Sequence, residues 1–206
     1  MEQNSNSHNK KKKIMRDYNK TAYFYDNRYS RLQQKKYEIV TKNYKTGSKQ
    51  ILDLGCGTGL FFEYLIKGLA HKKEMRFNYV GVDISWKMLL EFKSKFISIN
   101  YSNCSVNVIL SDIDYLPFRD SLFISVFALT SFQNLPNINN AIKELFRVCK
   151  NNCELKLSIL KKNLDLDSLK SIFRNKIKNL TIINEENLED IVIDGKILKS
   201  SRNFKY

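Results

Sequence analysis

Histidine, cysteine and unbroken apolar stretches are all scarce in this 206-residue sequence, and each scarcity closes off a class of function. The two histidines, His8 and His71, stand apart, and the four cysteines (Cys56, Cys104, Cys149 and Cys153) are scattered. Cys149 and Cys153 lie four apart with no second pair to complete a zinc site, so neither a metal centre nor a disulfide framework is expected. Polar residues interrupt every apolar run well short of the ~20 residues that cross a bilayer, so no membrane span is expected. The start lacks the layout of a secretory signal, which leaves a cytoplasmic address as the expectation. Acids are also outnumbered, with 35 Lys and Arg against 21 Asp and Glu, a net +14. Residues 1–50 hold 13 bases and 4 acids (+9), and the remainder holds 22 and 17 (+5). Such a basic start suits either an arm for nucleic acid or a solvated face in a chain rich in Lys, Asn and Ile. The second is favoured, because charge with interleaved aromatics is a weak sign of nucleic-acid binding.

What is present is enough for one α/β domain with a full core. Residues 1–13 show no apolar periodicity and are expected to form a disordered basic tail, so the domain is expected to occupy 14–206. Tyr18, Ala22, Tyr25 and Tyr29 recur at helical spacing, and Leu32, Tyr37, Ile39 and Val40 suggest a second lead-in helix. Strand-like blocks at 50–54, 79–83, 105–110, 124–130 and 154–160 then alternate with helical ones at 60–69, 86–97 and 138–149. Ser85 is placed to cap the second of these helices. The alternation predicts parallel strands joined by right-handed crossovers, a doubly wound, mostly parallel sheet with helices on both faces. A helix over 166–176 and closing antiparallel strands near 180–184 and 190–198 follow, the last broken by the turn dipeptide Asp194-Gly195.

The most informative stretch is Asp53-Leu54-Gly55-Cys56-Gly57-Thr58-Gly59, between a strand and a helix. Glycines there let a ligand approach backbone N–H groups at a helix start, where a Cβ would block it. The dinucleotide spacing would need glycine at position 60, which is Leu60, and no Gly-Lys-Ser/Thr marks a nucleoside triphosphate site. A ligand carrying a cation and a ribose, without pyrophosphate, fits better. Asp83 and Asp112 end the second and third strands, where a carboxylate can take a ribose diol and an adenine amine, with Ile113 against the ring. Each also suits the plainer task of capping a helix, but three acids at successive strand ends beside a glycine loop argue against coincidence.

These residues resemble the motifs of class I S-adenosylmethionine-dependent methyltransferases. Ile51 to Gly59 is similar to their first motif, Val80-Gly81-Val82-Asp83-Ile84-Ser85 to the second, and Ser111-Asp112 with Leu116-Pro117-Phe118 to the third. Phe127-Ala128-Leu129-Thr130, Leu135-Pro136 and Glu144-Leu145-Phe146-Arg147-Val148 resemble the fourth strand and its helix. Tyr18 to Ala22 with Tyr25-Asp26 and Tyr29 is similar to the lead-in of the small-molecule branch that includes quinone C-methyltransferases. The resemblance implies a Rossmann-like, mostly parallel seven-stranded sheet with lead-in helices. It implies that Gly55, Cys56, Gly57 and Gly59 surround the methionine part of S-adenosylmethionine, and that Asp53 orients the loop or meets the cofactor amine. Asp83 would hold the ribose and Asp112 would contact the adenine, Ile84 and Ile113 count among the cofactor-binding residues, and Leu129 and Thr130 would face the methyl. The departures are Lys150-Asn151-Asn152 in place of a Pro-Gly-Gly turn, Ile124 in place of Asp, and Trp86 in place of Pro.

The cofactor supplies the electrophile, so the protein chiefly aligns an acceptor and excludes water. No histidine at a strand end offers a base, and the Asn-Pro-Pro-aromatic signature of amide and base-amine methylation is absent. Substrate candidates are Tyr18, Tyr25 and Tyr29 as a lid, and Thr130, Gln133 and Asn134 as polar contacts, all equally compatible with packing. Arg28 meets either an anionic substrate or solvent. The acceptor is open, with a small molecule favoured over RNA or protein reached through the basic start. A non-catalytic cofactor-binding subunit, or an enzyme needing a small activating partner, stays as an alternative.

Overall fold

Strands buried on both faces need apolar residues at nearly every position, and the middle of this chain supplies them. In the computed structural model, which describes residues 2–44, 49–69, 77–97, 104–163 and 166–199, they become β1 (Lys49–Leu54), β2 (Phe77–Asp83), β3 (Cys104–Leu110), β4 (Phe123–Leu129), β5 (Cys149–Leu160), β6 (Ile177–Ile183) and β7 (Asp190–Ile197). One seven-stranded sheet runs in the order β3-β2-β1-β4-β5-β7-β6. β1 pairs in parallel with β2 and β4, β2 with β3, and β4 with β5; β7 is antiparallel to both β5 and β6. The winding reverses between β1 and β4, and open α/β sheets bind ligands beyond the carboxyl ends of strands at that reversal.

Alternation along β1 sends Leu52 and Leu54 to one face and Ile51 and Asp53 to the other. The first face packs on α4 (Ile138–Val148), through Ala141, Ile142 and Leu145, and on α5 (Leu166–Phe173), through Leu169 and Phe173. The second packs on α2 (Leu60–Leu69) and α3 (Trp86–Ile97), where Phe62, Tyr79 and Phe92 form a ring cluster. Ser85 caps α3 as expected, accepting from Met88 N at 3.2 Å. Asn152 takes a left-handed φ of 61°, but Lys150-Asn151-Asn152 lie inside β5, at an irregularity in its register with β4, and not in a turn before the strand.

The N-terminal part differs from expectation. A single helix, α1 (Glu2–Thr41), replaces the disordered tail over 1–13 and the two lead-in helices. No glycine or proline interrupts residues 2–46, so nothing in the chain breaks it. Its 40 residues reach ~60 Å, enough to cross the whole carboxyl edge of the sheet. Asp194-Gly195 is also no turn: both residues lie inside β7, where a Cβ on Gly195 would collide with Ile177 of β6. The glycine there answers a close approach between strands at an irregular register. Among the described residues, no helix is long and apolar enough to cross a membrane, and no cluster of metal-ligating side chains occurs.

Candidate functional site

The loop after β1 folds back because Gly55 N and Cys56 N both donate to Val82 O, at 2.7 and 3.0 Å. Gly55, Gly57 and Gly59 all take positive φ (81°, 53° and 81°), and two of them are glycine for a further reason. A Cβ on Gly55 would lie 2.5 Å from Ser131 Cβ, and one on Gly59 would lie 2.6 Å from the Phe92 ring. A Cβ on Gly57 would meet open space. Gly55 and Gly57 line the cleft at the carboxyl edge, whereas Gly59 is set back to admit α3.

Two of the three acids face that cleft. Asp83 accepts from Gly57 N at 3.0 Å and Ser85 N at 2.8 Å, so one carboxylate ties the first loop to the start of α3. Burial pushes its carboxyl above the usual range, and the N–H donors pull it back. Asp112 accepts from Asp114 N at 3.0 Å, and Ile84, Ile113 and Leu129 add apolar wall. Asp53 points to the opposite face of the sheet, buried, with its carboxylate accepting from the Tyr79 hydroxyl. Burial raises its pKa to about 7. Asp53 and Cys56, whose sulfur also packs against Gly81, line a separate small cavity of about 30 Å³ that shares Tyr25, Gly55, Gly57 and Leu129 with the cleft wall.

α1 closes this edge through five anchors. Lys11 pairs with Asp112 at 2.6 Å and with Asp114. Asn19 Oδ1 accepts from Ser85 Oγ at 2.8 Å and Lys87 N at 3.2 Å. Tyr18 hydroxyl accepts from Asn134 Nδ2 at 2.9 Å, and burial holds the Tyr18 and Tyr25 phenols above their usual range. Asp26 receives the Thr58 hydroxyl and pairs with Lys95. Lys36, 3% exposed, pairs with Asp190 at 2.8 Å and also donates to Thr130 Oγ1. Burial lowers the Lys36 pKa, and the Asp190 carboxylate opposes that. Thr130, at the left-handed φ of 56°, donates a hydrogen bond from its hydroxyl to Asp190 at 2.8 Å.

The cleft, about 90 Å³ with Lys11 in it, adjoins a chamber of about 470 Å³ between α1 and the loops at 130–134 and 187–190. Tyr18, Tyr25, Thr130 and Asn134 line both. Tyr29, Gln133 and Arg28 line only the chamber. The site therefore gathers most of the expected residues but leaves Asp53, Cys56 and Gly59 outside the cleft wall. It adds Lys11, Lys36 and Asp190, which no motif marks, and Asn19, which lies inside the lead-in stretch Tyr18 to Ala22 but was not singled out.

Residues 51–152 match the family model described as a methyltransferase domain. An uncharacterised protein of Methanocaldococcus jannaschii is 31% identical over 147 residues, 69% of this chain and 50% of that protein. The ubiquinone/menaquinone biosynthesis C-methyltransferase of Rickettsia prowazekii is 29% identical over 65% of this chain and 59% of its own length. The chain thus spans between half and three-fifths of these two relatives. Magnesium protoporphyrin IX methyltransferase from Synechocystis shares the fold at a TM-score of 0.69 and 17% identity, covering 91% of this chain and 97% of that one. A methyltransferase of Aquifex aeolicus does so at 0.69 and 16%, covering 87% and 98%. S-adenosylmethionine is the cofactor of this family, and the donors and acceptors facing the cleft fit it: a glycine turn with open space at Gly57, and carboxylates at the next two strand ends. Through its matched domain, its strand order and its glycine loop, the chain belongs to the class I S-adenosylmethionine-dependent methyltransferases, with relatives in quinone biosynthesis.

Proposed function

We infer that this chain transfers the sulfonium methyl group of S-adenosylmethionine to a small-molecule acceptor held in the chamber under α1. The observation that carries this reading is the adjacency of the two spaces: the cleft at the ends of β1, β2 and β3 shares Tyr18, Tyr25, Thr130 and Asn134 as a common wall with a chamber of small-molecule size. In this reading Asp83 takes the ribose diol, Asp112 the adenine amine, and Ile84 and Ile113 the flat face of the base. Gly55 and Gly57 let the methionine part lie against backbone, and Leu129 and Thr130 stand where the methyl leaves. The cofactor supplies both the electrophile and the leaving group. The chain's own residues orient the acceptor for in-line attack and keep water out, which is the work of Tyr18 and Tyr25 on α1. No side chain is assigned as a base.

Calorimetric titration with S-adenosylmethionine and its demethylated product tests the cofactor assignment, and absence of measurable affinity for either sinks it. Transfer of radiolabelled methyl into extract fractions then tests the acceptor. Label that resists nuclease and protease is expected. Label lost to either enzyme moves the acceptor to RNA or protein, for which Lys12 and Lys13 stay exposed on α1. Transfer that appears only when a protein fraction is added back brings in an activating subunit.

A further inference from the structure

The chamber holds more positive charge than its walls neutralise. Arg28, Arg31, Lys35, Lys36 and Lys162 line it, against Glu189 and Asp190. Asp190 is committed to Lys36 at 2.8 Å, and that buried pair clamps the Thr130 hydroxyl. Arg28, Arg31, Lys35 and Lys162 take part in no ion pair among the described residues. The first three recur at the spacing i, i+3, i+7, which puts them on one stripe of α1 facing the chamber. Arg28 lies over the Tyr29 ring at 5.3 Å, an arrangement that leaves the edge of the guanidinium free to donate. Gln133 adds an independent pointer. Its Nε2 donates to Thr130 O at 2.6 Å, which fixes the amide orientation, and its Oε1 is buried with no partner. A buried acceptor atom without a donor is costly, and a ligand that donates there removes the cost.

We propose that the chamber takes a small acceptor bearing an oxyanion, a carboxylate or a phosphate, seated on Arg28, Arg31 and Lys35, with an N–H or O–H turned toward Gln133 Oε1. The proposal rests on the methyl-transfer reading above, and it deepens that reading by naming the acceptor's chemistry. A cavity with low-dielectric walls and an excess of one sign concentrates counter-charge, so an anion is drawn to the side of the chamber away from the cofactor cleft. A neutral acceptor can still donate to the Gln133 oxygen, but it would leave the cations unmatched.

The test uses the full chain saturated with S-adenosylhomocysteine, whose own affinity is measured first in the same calorimeter. Failure at that step overturns the methyl-transfer reading; the steps after it judge the acceptor alone. The probes are 3-hydroxybenzoate, 3-hydroxyphenyl phosphate and the neutral 3-hydroxybenzamide. At least one of the two anions is expected to bind about tenfold more tightly than the amide, as charge-assisted hydrogen bonds require. The tighter of the two identifies the oxyanion. The preference is expected to fall severalfold in Arg28→Gln/Arg31→Gln, both exposed positions that leave the core intact, and to shrink as sodium chloride rises from about 0.05 to about 0.5 M. Gln133→Leu is expected to weaken all three probes, since each carries the hydroxyl. Equal affinity for acid, phosphate and amide, no binding by any of them, or a preference that survives the double substitution overturns the proposal.

Discussion

At the β1–β3 end of the carboxyl edge, Gly55, Gly57, Asp83 and Asp112, which face the cleft, lie within three residues of a strand end. At the β4–β7 end the lining groups come from a long helix, a loop after β4 and the start of β7, brought together from opposite ends of the chain. The first end is built from local geometry: positive φ at Gly55 and Gly57, and Asp83 closing on Gly57 N and Ser85 N. The second is built from side-chain chemistry: Lys36, Asp190 and Thr130 joined by an ion pair and hydrogen bonds in a buried cluster. Local geometry leaves a spacing in the sequence. A long-range cluster leaves none.

The comparison breaks most visibly at Lys36. The Lys36–Asp190 pair is 4% and 3% exposed in its side chains, so removing one partner strands a charge. Lys36→Met is expected to cost about 3–5 kcal/mol of stability. Lys36→Met/Asp190→Leu is expected to recover most of it, because the desolvated charge is gone from both sides. Denaturant unfolding of the two variants checks this. Equal losses would mean that the pair itself, and not the orphaned charge, holds α1 to β7.

The buried charge at the other end has only a neutral partner, and that contrast predicts opposite behaviour with pH. Asp53 is buried against the Tyr79 hydroxyl, and its pKa rises from 3.8 to about 7. A carboxyl raised on folding is protonated in the native state where the unfolded chain has already released its proton. Its contribution is therefore full below about pH 4 and is lost as pH climbs to about 7, a swing of up to roughly 4 kcal/mol. Asp53→Asn keeps an oxygen for Tyr79 and removes the titration, so the stability gap between variant and parent should shift toward the variant by a few kcal/mol between pH 4 and pH 8. A gap that stays level with pH would show that Asp53 is ionised in the folded protein throughout.

The same contrast explains what could be read before the structure. The strand–glycine loop–helix unit, Asp83, Asp112 and the parallel winding were legible because backbone sterics admit few residues at 55 and 57 and because apolar runs mark buried strands. Which of three nearby glycines faces a ligand was not legible: Gly59 and Gly57 have the same identity, and only the Phe92 ring behind one of them separates their tasks. Asp194-Gly195 misled for a similar reason, since a glycine that makes room for Ile177 reads like one that makes a turn. The basic start read as a tail because its apolar residues are few. It is helical over a sheet edge whose acids, Asp112 and Asp114, give Lys11 a partner far away in sequence.

Cofactor binding should depend on the local end far more than on the distant one. Asp83→Ala removes the acceptor for Gly57 N and Ser85 N together with the group assigned to the ribose. A loss of about 100-fold in affinity for S-adenosylhomocysteine is expected, near 3 kcal/mol, which is the cost of losing charge-assisted hydrogen bonds. Gln133→Leu, on the chamber side, is expected to leave that affinity within about twofold, because Gln133 lines the chamber and not the cleft. Comparable losses in the two variants would merge the two ends into one site.

The smallest expected effect lies at Lys11, where α1 reaches the outer, β3 side of the cofactor end. The helix that roofs the chamber reaches across the cleft and sets its ammonium on Asp112, the carboxylate assigned to the adenine amine. On that assignment an adenosyl group and Lys11 would compete for one oxygen, and the roughly 90 Å³ of the cleft is well below the several hundred that ligand pockets usually offer. The first turns of α1 would then have to yield for the cofactor to enter. Lys11 is partly buried and pairs with two carboxylates, so its release has a modest cost, set by a contact that salt screens. Lys11→Ala is expected to tighten S-adenosylhomocysteine binding by about threefold to fivefold at low salt, and the gain should narrow as ionic strength rises. Weaker binding in the variant would reverse the reading: Lys11 would then be a latch that closes over the bound cofactor, and the basic start of α1 would belong functionally to the cofactor end of the edge.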